Sequence, residues 1–171
     1  EDFDKKLIDL PNVTLIGIDC VNLDRLIDAA NRCTQDIKFG DVKLFSSKLS
    51  EHPNVIQCRN ITSKEDYSLF MMKELAQHIE NSHVLIFQFD GYVVNAAAWD
   101  KKFFDYDYIG ATWWYKDGHA VGNGGFSFRS KRLMDVVAAE KSIVEMHPED
   151  HHICRTYRKM LEEKHNIKFA P

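Results

Sequence analysis

The chain has 171 residues, of which 44% are hydrophobic and 28% charged, and carries a net charge of -4. That size and balance predict one globular domain over residues 1–171, and the negative charge removes the broad positive field that non-specific nucleic-acid binding needs. No apolar run reaches the ~18 residues that would suggest a membrane-spanning helix, and the opening Glu1-Asp2-Phe3-Asp4-Lys5-Lys6 is too charged for a signal peptide. The chain starts without Met, which suggests a domain cut from a longer protein. The expected location is cytoplasmic, with any membrane association supplied by regions outside the chain. Cys20, Cys33, Cys58 and Cys154 form no C-x-x-C pair, and they read as reduced thiols filling a core.

Taken in order, Val13-Thr14-Leu15-Ile16-Gly17-Ile18-Asp19 is a short apolar run after Pro11-Asn12, as a buried strand requires. Asn22 or the residue before it can cap the helix expected over residues 22–34, where Leu23, Leu26, Ile27, Ala30 and Cys33 recur at helical spacing. Strands follow at 41–47 and 54–58. Ser63-Lys64-Glu65-Asp66 opens a second helix running to about His78 or Glu80, and His83 to Phe87 returns as a central strand. The second half crowds Trp99, Phe103, Phe104, Tyr106, Tyr108, Trp113, Trp114 and Tyr115 together, where aromatic side chains can build both core and pocket. Further strands are expected at 108–111 and 125–129, then a helix from Ser130 to Ala139 and a last helix from about Glu149 to Lys164. Early alternation of strand and helix implies an α/β fold. Its central sheet is mainly parallel, flanked by helices, with later strands antiparallel at one edge.

In open α/β sheets ligands sit beyond the carboxyl ends of the strands, so the polar residues there are the first candidates. Asp19 closes the first strand, Ser46 and Ser47 the second, and Gln88-Phe89-Asp90-Gly91 follows the apolar strand at 83–87. A carboxylate just past a buried strand is costly unless it holds a cation or a hydrogen-bond network, although Asp-Gly also makes a tight turn. The glycines of Val121-Gly122-Asn123-Gly124-Gly125-Phe126 would let backbone approach a ligand closely, or form a hairpin or bulge. The stretch lacks dinucleotide-binding spacing. In His147-Pro148-Glu149-Asp150-His151-His152 two acids stand where a helix begins. There they suit the helix dipole as well as chemistry. Consecutive residues would point around that helix, so a closed zinc site is not expected, and one histidine as an ancillary ligand fits better.

Together these residues resemble the GT-A group of nucleotide-sugar glycosyltransferases, in particular small GT-A-like domains of microbial glycan biosynthesis. The resemblance is carried by Tyr67-Ser68-Leu69-Phe70 with Lys73, Phe87-Gln88-Phe89-Asp90-Gly91, Trp99, Tyr106-Asp107-Tyr108-Ile109-Gly110-Ala111, Gly122-Asn123-Gly124-Gly125-Phe126-Ser127 and Pro148-Glu149-Asp150. It implies a Rossmann-like nucleotide-binding half joined to an acceptor half, and transfer of a sugar from a nucleotide-sugar donor to a glycan or other hydroxyl acceptor. In that group an Asp-x-Asp motif holds Mn2+ or Mg2+ on the donor diphosphate. Gln88-Phe89-Asp90 stands in the matching place and keeps only the second acid, so metal affinity would be reduced or the metal dispensable. The resemblance further implies Asp150 as the base of an inverting transfer, with Glu149 as its substitute. Asp19, Asn22, Ser46, Gln88 and Asp90 would face the donor. Trp113, Trp114, Asn123, Gly124 and Gly125 would form the acceptor or sugar pocket, and Asp90 with His152 would face the metal. The competing expectation is a non-catalytic glycan- or nucleotide-binding domain of a larger protein. A nucleotidyltransferase ranks lower, because no glycine-rich basic loop follows the first strand, and a zinc hydrolase lower still.

Overall fold

A computed structural model describes residues 7–91, 93, 96–110, 122 and 125–171. Strand β1 (Ile8–Ile18) leads into helix α1 (Leu23–Thr34), β2 (Ile37–Ser46) and β3 (Val55–Gln57). Helix α2 (Lys64–Leu69) continues through a π turn (Phe70–Glu74) and a 3-10 turn (Leu75–His78) into β4 (His83–Ile86). Then come β5 (Tyr108–Gly110), β6 (Ser127–Ser130), α3 (Lys131–Ala139), α4 (Glu149–His151), a second π turn (His152–Thr156) and α5 (Arg158–His165).

The strands form one sheet in the order β3-β2-β1-β4-β6-β5. β1 pairs in parallel with β2 and β4, and β2 with β3. β6 runs antiparallel to both of its neighbours. The expected α/β class therefore stands, with a mixed sheet whose reversed strand lies toward one edge. The chain moves outward from β1 through β2 to β3, then crosses back to place β4 on the other side of β1. That reversal between β1 and β4 is where an open α/β sheet leaves a crevice beyond its strand ends.

Alternation along the strands sends neighbouring side chains to opposite faces. Leu15 and Leu44 pack with Leu26, Ala29, Ala30 and Cys33 of α1. Ile16 and Phe45 pack on the other face with Phe70, Met71, Leu75 and Met134. A third cluster beside the antiparallel edge joins Tyr108, Leu133, Val137, Ile153, Leu161 and Phe169. Among the described residues no helix is long and apolar enough to cross a membrane.

Several sequence expectations shift in the structure, among them the strand expected at 41–47, which begins at Ile37 as β2. β1 begins at Ile8, before Pro11, because an irregularity between Leu10 and Thr14 absorbs the proline while pairing with β2 continues on both sides. Proline cannot donate to a ladder and is tolerated at such a bulge. Opposite it, a Cβ on Gly40 would stand 2.0 Å from the Pro11 carbonyl oxygen, so the close approach needs glycine. The helices expected at 63–80 and 149–164 are each interrupted by a π turn. In the first, Lys73 leaves the helical surface to donate to the carbonyls of Val137 and Glu140 at the end of α3.

Candidate functional site

The crevice at the β1/β4 reversal is a cavity of about 530 Å3. Its lining comes from five places: the end of β1 with the start of α1, the segment Ile61–Ser68, the turn after β4, Gly125, and His147–Asp150. Asp19, Gln88, Gly125, Glu149 and Asp150 all line it, so residues up to 131 positions apart in the chain meet at one opening.

The β1 side is built by Asp19. Its Oδ1 accepts the backbone N–H groups of Val21 and Asn22, each at 2.9 Å, and its Oδ2 accepts Nε of Arg25 at 2.6 Å. Burial pushes the Asp19 pKa up, but Arg25 and the two backbone donors outweigh it and hold the carboxyl below its ordinary value. Its lone pairs thus largely fold the β1–α1 turn and orient Arg25. The guanidinium lies 3.8 Å over the ring of Phe89, joining this wall to the turn after β4. Asn22 caps α1 and Ser46 is fully buried, accepting the N–H of Lys48; neither lines the cavity.

The turn after β4 closes with paired backbone hydrogen bonds between Gln88 and Gly91. Asp90 is exposed at its third position, outside the residues lining the cavity, and its charge raises the pKa of Arg25 after the larger effect of Asp19. Gln88 points the other way and hydrogen-bonds Tyr67. A Cβ on Gly125 would come within 2.9 Å of the Gln88 Oε1, so the glycine makes room for that amide. Burial, with the nearby Glu149 carboxylate, pushes the Tyr67 phenol up to about 12, which keeps it a neutral hydroxyl.

The opposite wall rests on a buried ion pair. Arg129 is 0% exposed, and its Nη1 and Nη2 donate to the two carboxylate oxygens of Glu149 at 3.0 Å each. Its Nε donates to Ser127, and its guanidinium lies 4.9 Å from the ring centre of Tyr108. Burial opposes the charge of Arg129, but Glu149 more than compensates and the pKa is raised. Glu149 is therefore committed to holding Arg129, whereas Asp150, half-buried beside it, lines the cavity with Oδ1 accepting the N–H of His151. His147 lines the same wall, its Nδ1 3.0 Å from the hydroxyl of Ser68. In His152, Nε2 donates to the carbonyl oxygen of His147 at 3.1 Å, and Nδ1 lies 2.9 Å from the hydroxyl of Thr156. Both nitrogens are thereby engaged within the protein.

Trp113, Trp114, Asn123 and Gly124 lie outside the described residues. Among the described residues no three His, Cys, Asp or Glu side chains converge on a point that could hold a metal ion. With Asp90 exposed at the turn and His152 turned inward, the described side chains make an incomplete site for Mn2+ or Mg2+. Sequence reasoning missed Arg25 and Arg129 as parts of the walls. A signal for the second was present, since an arginine inside an apolar strand such as Phe126-Ser127-Phe128-Arg129 requires a buried acidic partner.

No curated protein matches the sequence significantly. Among solved structures, the fold is similar to that of mannosyltransferase PcManGT from Pyrobaculum calidifontis in complex with GDP-Man and Mn2+. That likeness has a TM-score of 0.58 and 13% identity, over 95% of this chain and 56% of that one. A weaker likeness, with a TM-score of 0.47 and 11% identity over 94% of this chain and 45% of that one, is to the apo-form glycosyltransferase GlyE of Streptococcus pneumoniae TIGR4. This chain thus spans about half the length of the glycosyltransferases it resembles. A family model described as "Protein of unknown function (DUF5672)" matches residues 53–170, and by that match the chain belongs to the DUF5672 family.

Proposed function

We propose that the chain is the sugar-transferring domain of a glycosyltransferase, moving a sugar from a nucleotide-sugar donor to a hydroxyl of a glycan or other acceptor. The observation that carries this reading is Asp150 on the wall of a cavity at the β1/β4 reversal, in a fold shared with a mannosyltransferase. In an inverting transfer the acceptor oxygen attacks the anomeric carbon as the nucleoside diphosphate leaves, and the acceptor proton passes to a base. Asp150 takes that role. Its neighbour Glu149 holds the buried guanidinium of Arg129 with both oxygens, and a proton there would break the pair.

The donor diphosphate would lie near the β1 wall and the 88–91 turn. Arg25 and Lys64 line the cavity there as cations, and Asp90 stands beside Arg25. The acceptor would enter along Gly125. The described side chains complete no site for Mn2+ or Mg2+. One observation favours the reading of a binding domain without turnover: the residue two before Asp90 is Gln88, an amide tied to Tyr67 and unable to add negative charge.

Incubation with a panel of UDP- and GDP-sugars and mixed hydroxyl acceptors, with Mn2+, Mg2+ or EDTA, separates the readings. Mass spectrometry should show glycosylated acceptor and released nucleoside diphosphate. Binding of donors with no release under any condition would leave a binding domain, and absence of both would overturn the assignment of the cavity.

A further inference from the structure

Beyond the cavity's proposed chemistry, the sequence expectation that all four cysteines are inert core fillers leaves one pair unexplained. Cys20 directly follows Asp19 at the end of β1, and Cys58 follows β3. These strands are separated by β2, yet run parallel, so both cysteines stand at the same end of the sheet. Their sulfurs meet there at 4.0 Å, although the residues are 38 apart in sequence. The two differ in access: Cys20 is 6% exposed and Cys58 half-buried. The remaining thiols lie in other packing clusters, Cys33 on α1 and Cys154 in the second π turn, each 0% exposed.

The Cys20 thiol also organises the segment that walls the cavity. Its sulfur accepts the N–H of Ile61 at 3.3 Å and lies 3.7 Å from the carbonyl of Arg59. Ile61, Thr62, Ser63 and Lys64 continue from there as cavity lining, as does Cys20 itself. A link between the two sulfurs would therefore tie the end of β1 to the root of this wall.

We infer that Cys20 and Cys58 are a disulfide-forming pair whose oxidation tethers the 58–64 wall of the cavity to the end of β1. A disulfide requires a sulfur separation of about 2.05 Å, so the contact must shorten by about 2 Å on oxidation. The oxidant is a small-molecule disulfide such as oxidised glutathione. The thiolate of the more exposed Cys58 attacks one glutathione sulfur, releasing the first glutathione as thiolate and forming a mixed disulfide. Cys20, deprotonated in turn, attacks the Cys58 sulfur and releases the second. Two protein thiols and one glutathione disulfide become one protein disulfide and two glutathione thiols, with the two protons carried by the products. Burial, followed by the neighbouring Cys20, pushes the Cys58 thiol up to about 12, with Glu74 adding to this and Arg59 opposing it. Thiolate is the attacking form, so exchange quickens as the pH rises.

The test treats the folded chain with oxidised glutathione, then unfolds it in acid-quenched denaturant, alkylates the remaining thiols and maps the peptides without reduction. Alkylatable thiols should fall from four to two, with Cys20 joined to Cys58. Cys20→Ser should instead accumulate a stable glutathione adduct on Cys58, which separates resolution by Cys20 from mere accessibility of Cys58. In the oxidised wild type, hydrogen exchange at the amides of residues 59–64 should slow several-fold relative to the reduced protein. A disulfide joining any other pair overturns the inference, as do four free thiols under conditions that oxidise the urea-unfolded chain. Unchanged exchange at 59–64 after the pair has closed overturns the tether. None of these readouts depends on sugar transfer, so their failure would leave the transferase reading standing.

Discussion

The cavity has two ion-paired walls, and they are built on opposite principles. On the β1 side Asp19 and Arg25 are six residues apart, and the pair stays in contact with water, Arg25 with 36% of its side chain exposed. On the far side Arg129 and Glu149 are twenty residues apart and almost wholly removed from water, their side chains 0% and 5% exposed. In the first wall the ion pair shapes a local turn that backbone hydrogen bonds already support. In the second the ion pair joins β6 to α4 and fixes where Asp150 emerges into the cavity. One pair is a local orienting device, and the other sets how two distant segments meet.

Breaking each pair sharpens the contrast, and the buried one should respond most. Arg129→Met strands Glu149 without its partner, and should lower unfolding free energy by about 3–5 kcal/mol in urea titration. The double change Arg129→Met with Glu149→Leu should recover much of that loss, because two apolar side chains leave no uncompensated charge. A single-variant loss under ~1 kcal/mol would mean that the buried wall behaves like the exposed one.

Next in size is the effect of separating the neighbours Glu149 and Asp150. Asp150→Asn should reduce sugar transfer by roughly 10²-fold or more with donor affinity and melting temperature little changed, as expected for a general base. Glu149→Gln should act mainly on stability, through the weakened hold on Arg129. If the asparagine variant at 150 turns over normally, the base lies elsewhere.

A bulky probe at the bulge tests the scaffold beneath the β1 wall. Gly40→Ala would drive a methyl into the Pro11 carbonyl and should cost about 1–3 kcal/mol in the same titration. Equal stability would show that the β1–β2 ladder yields there.

The smallest effect should come from the β1 pair, in which Arg25 keeps contact with water. Asp19→Asn should lower the melting temperature only slightly. Because the folded-state pKa of Asp19 is depressed, its contribution to stability is full above the ordinary carboxylate range and is lost as the pH falls through the folded value. Wild type and Asp19→Asn should therefore converge in stability in acid and differ most near neutrality. A constant difference across pH would show that the carboxylate charge is not what holds the turn.

Local physics wrote much of this protein directly into its sequence. Asn22, Ser63 and Ser130 accept backbone N–H groups at the starts of α1, α2 and α3, as their positions before apolar periodic runs predict. The β1, β2 and β4 runs are apolar because helices cover both faces of that part of the sheet. Those local rules also placed Asp19 and Gln88 at strand ends and Glu149 and Asp150 at a helix start, whereas their grouping into one site came only from the resemblance to GT-A glycosyltransferases.

What each side chain does at its place was decided only by tertiary structure. A carboxylate's role depends on which cation reaches it, and Arg129 reaches Glu149 across twenty residues while leaving Asp150 on the cavity wall. His152 offered a metal ligand by type, but the carbonyl of His147 and the hydroxyl of Thr156 take its two nitrogens. The π turns arise where packing between elements outweighs the regular helical repeat, as where Lys73 reaches the end of α3. Periodicity and capping report energies over a few neighbouring residues. Pairing of buried charge and saturation of hydrogen bonds depend on which distant segments meet, and that is a property of the packed chain.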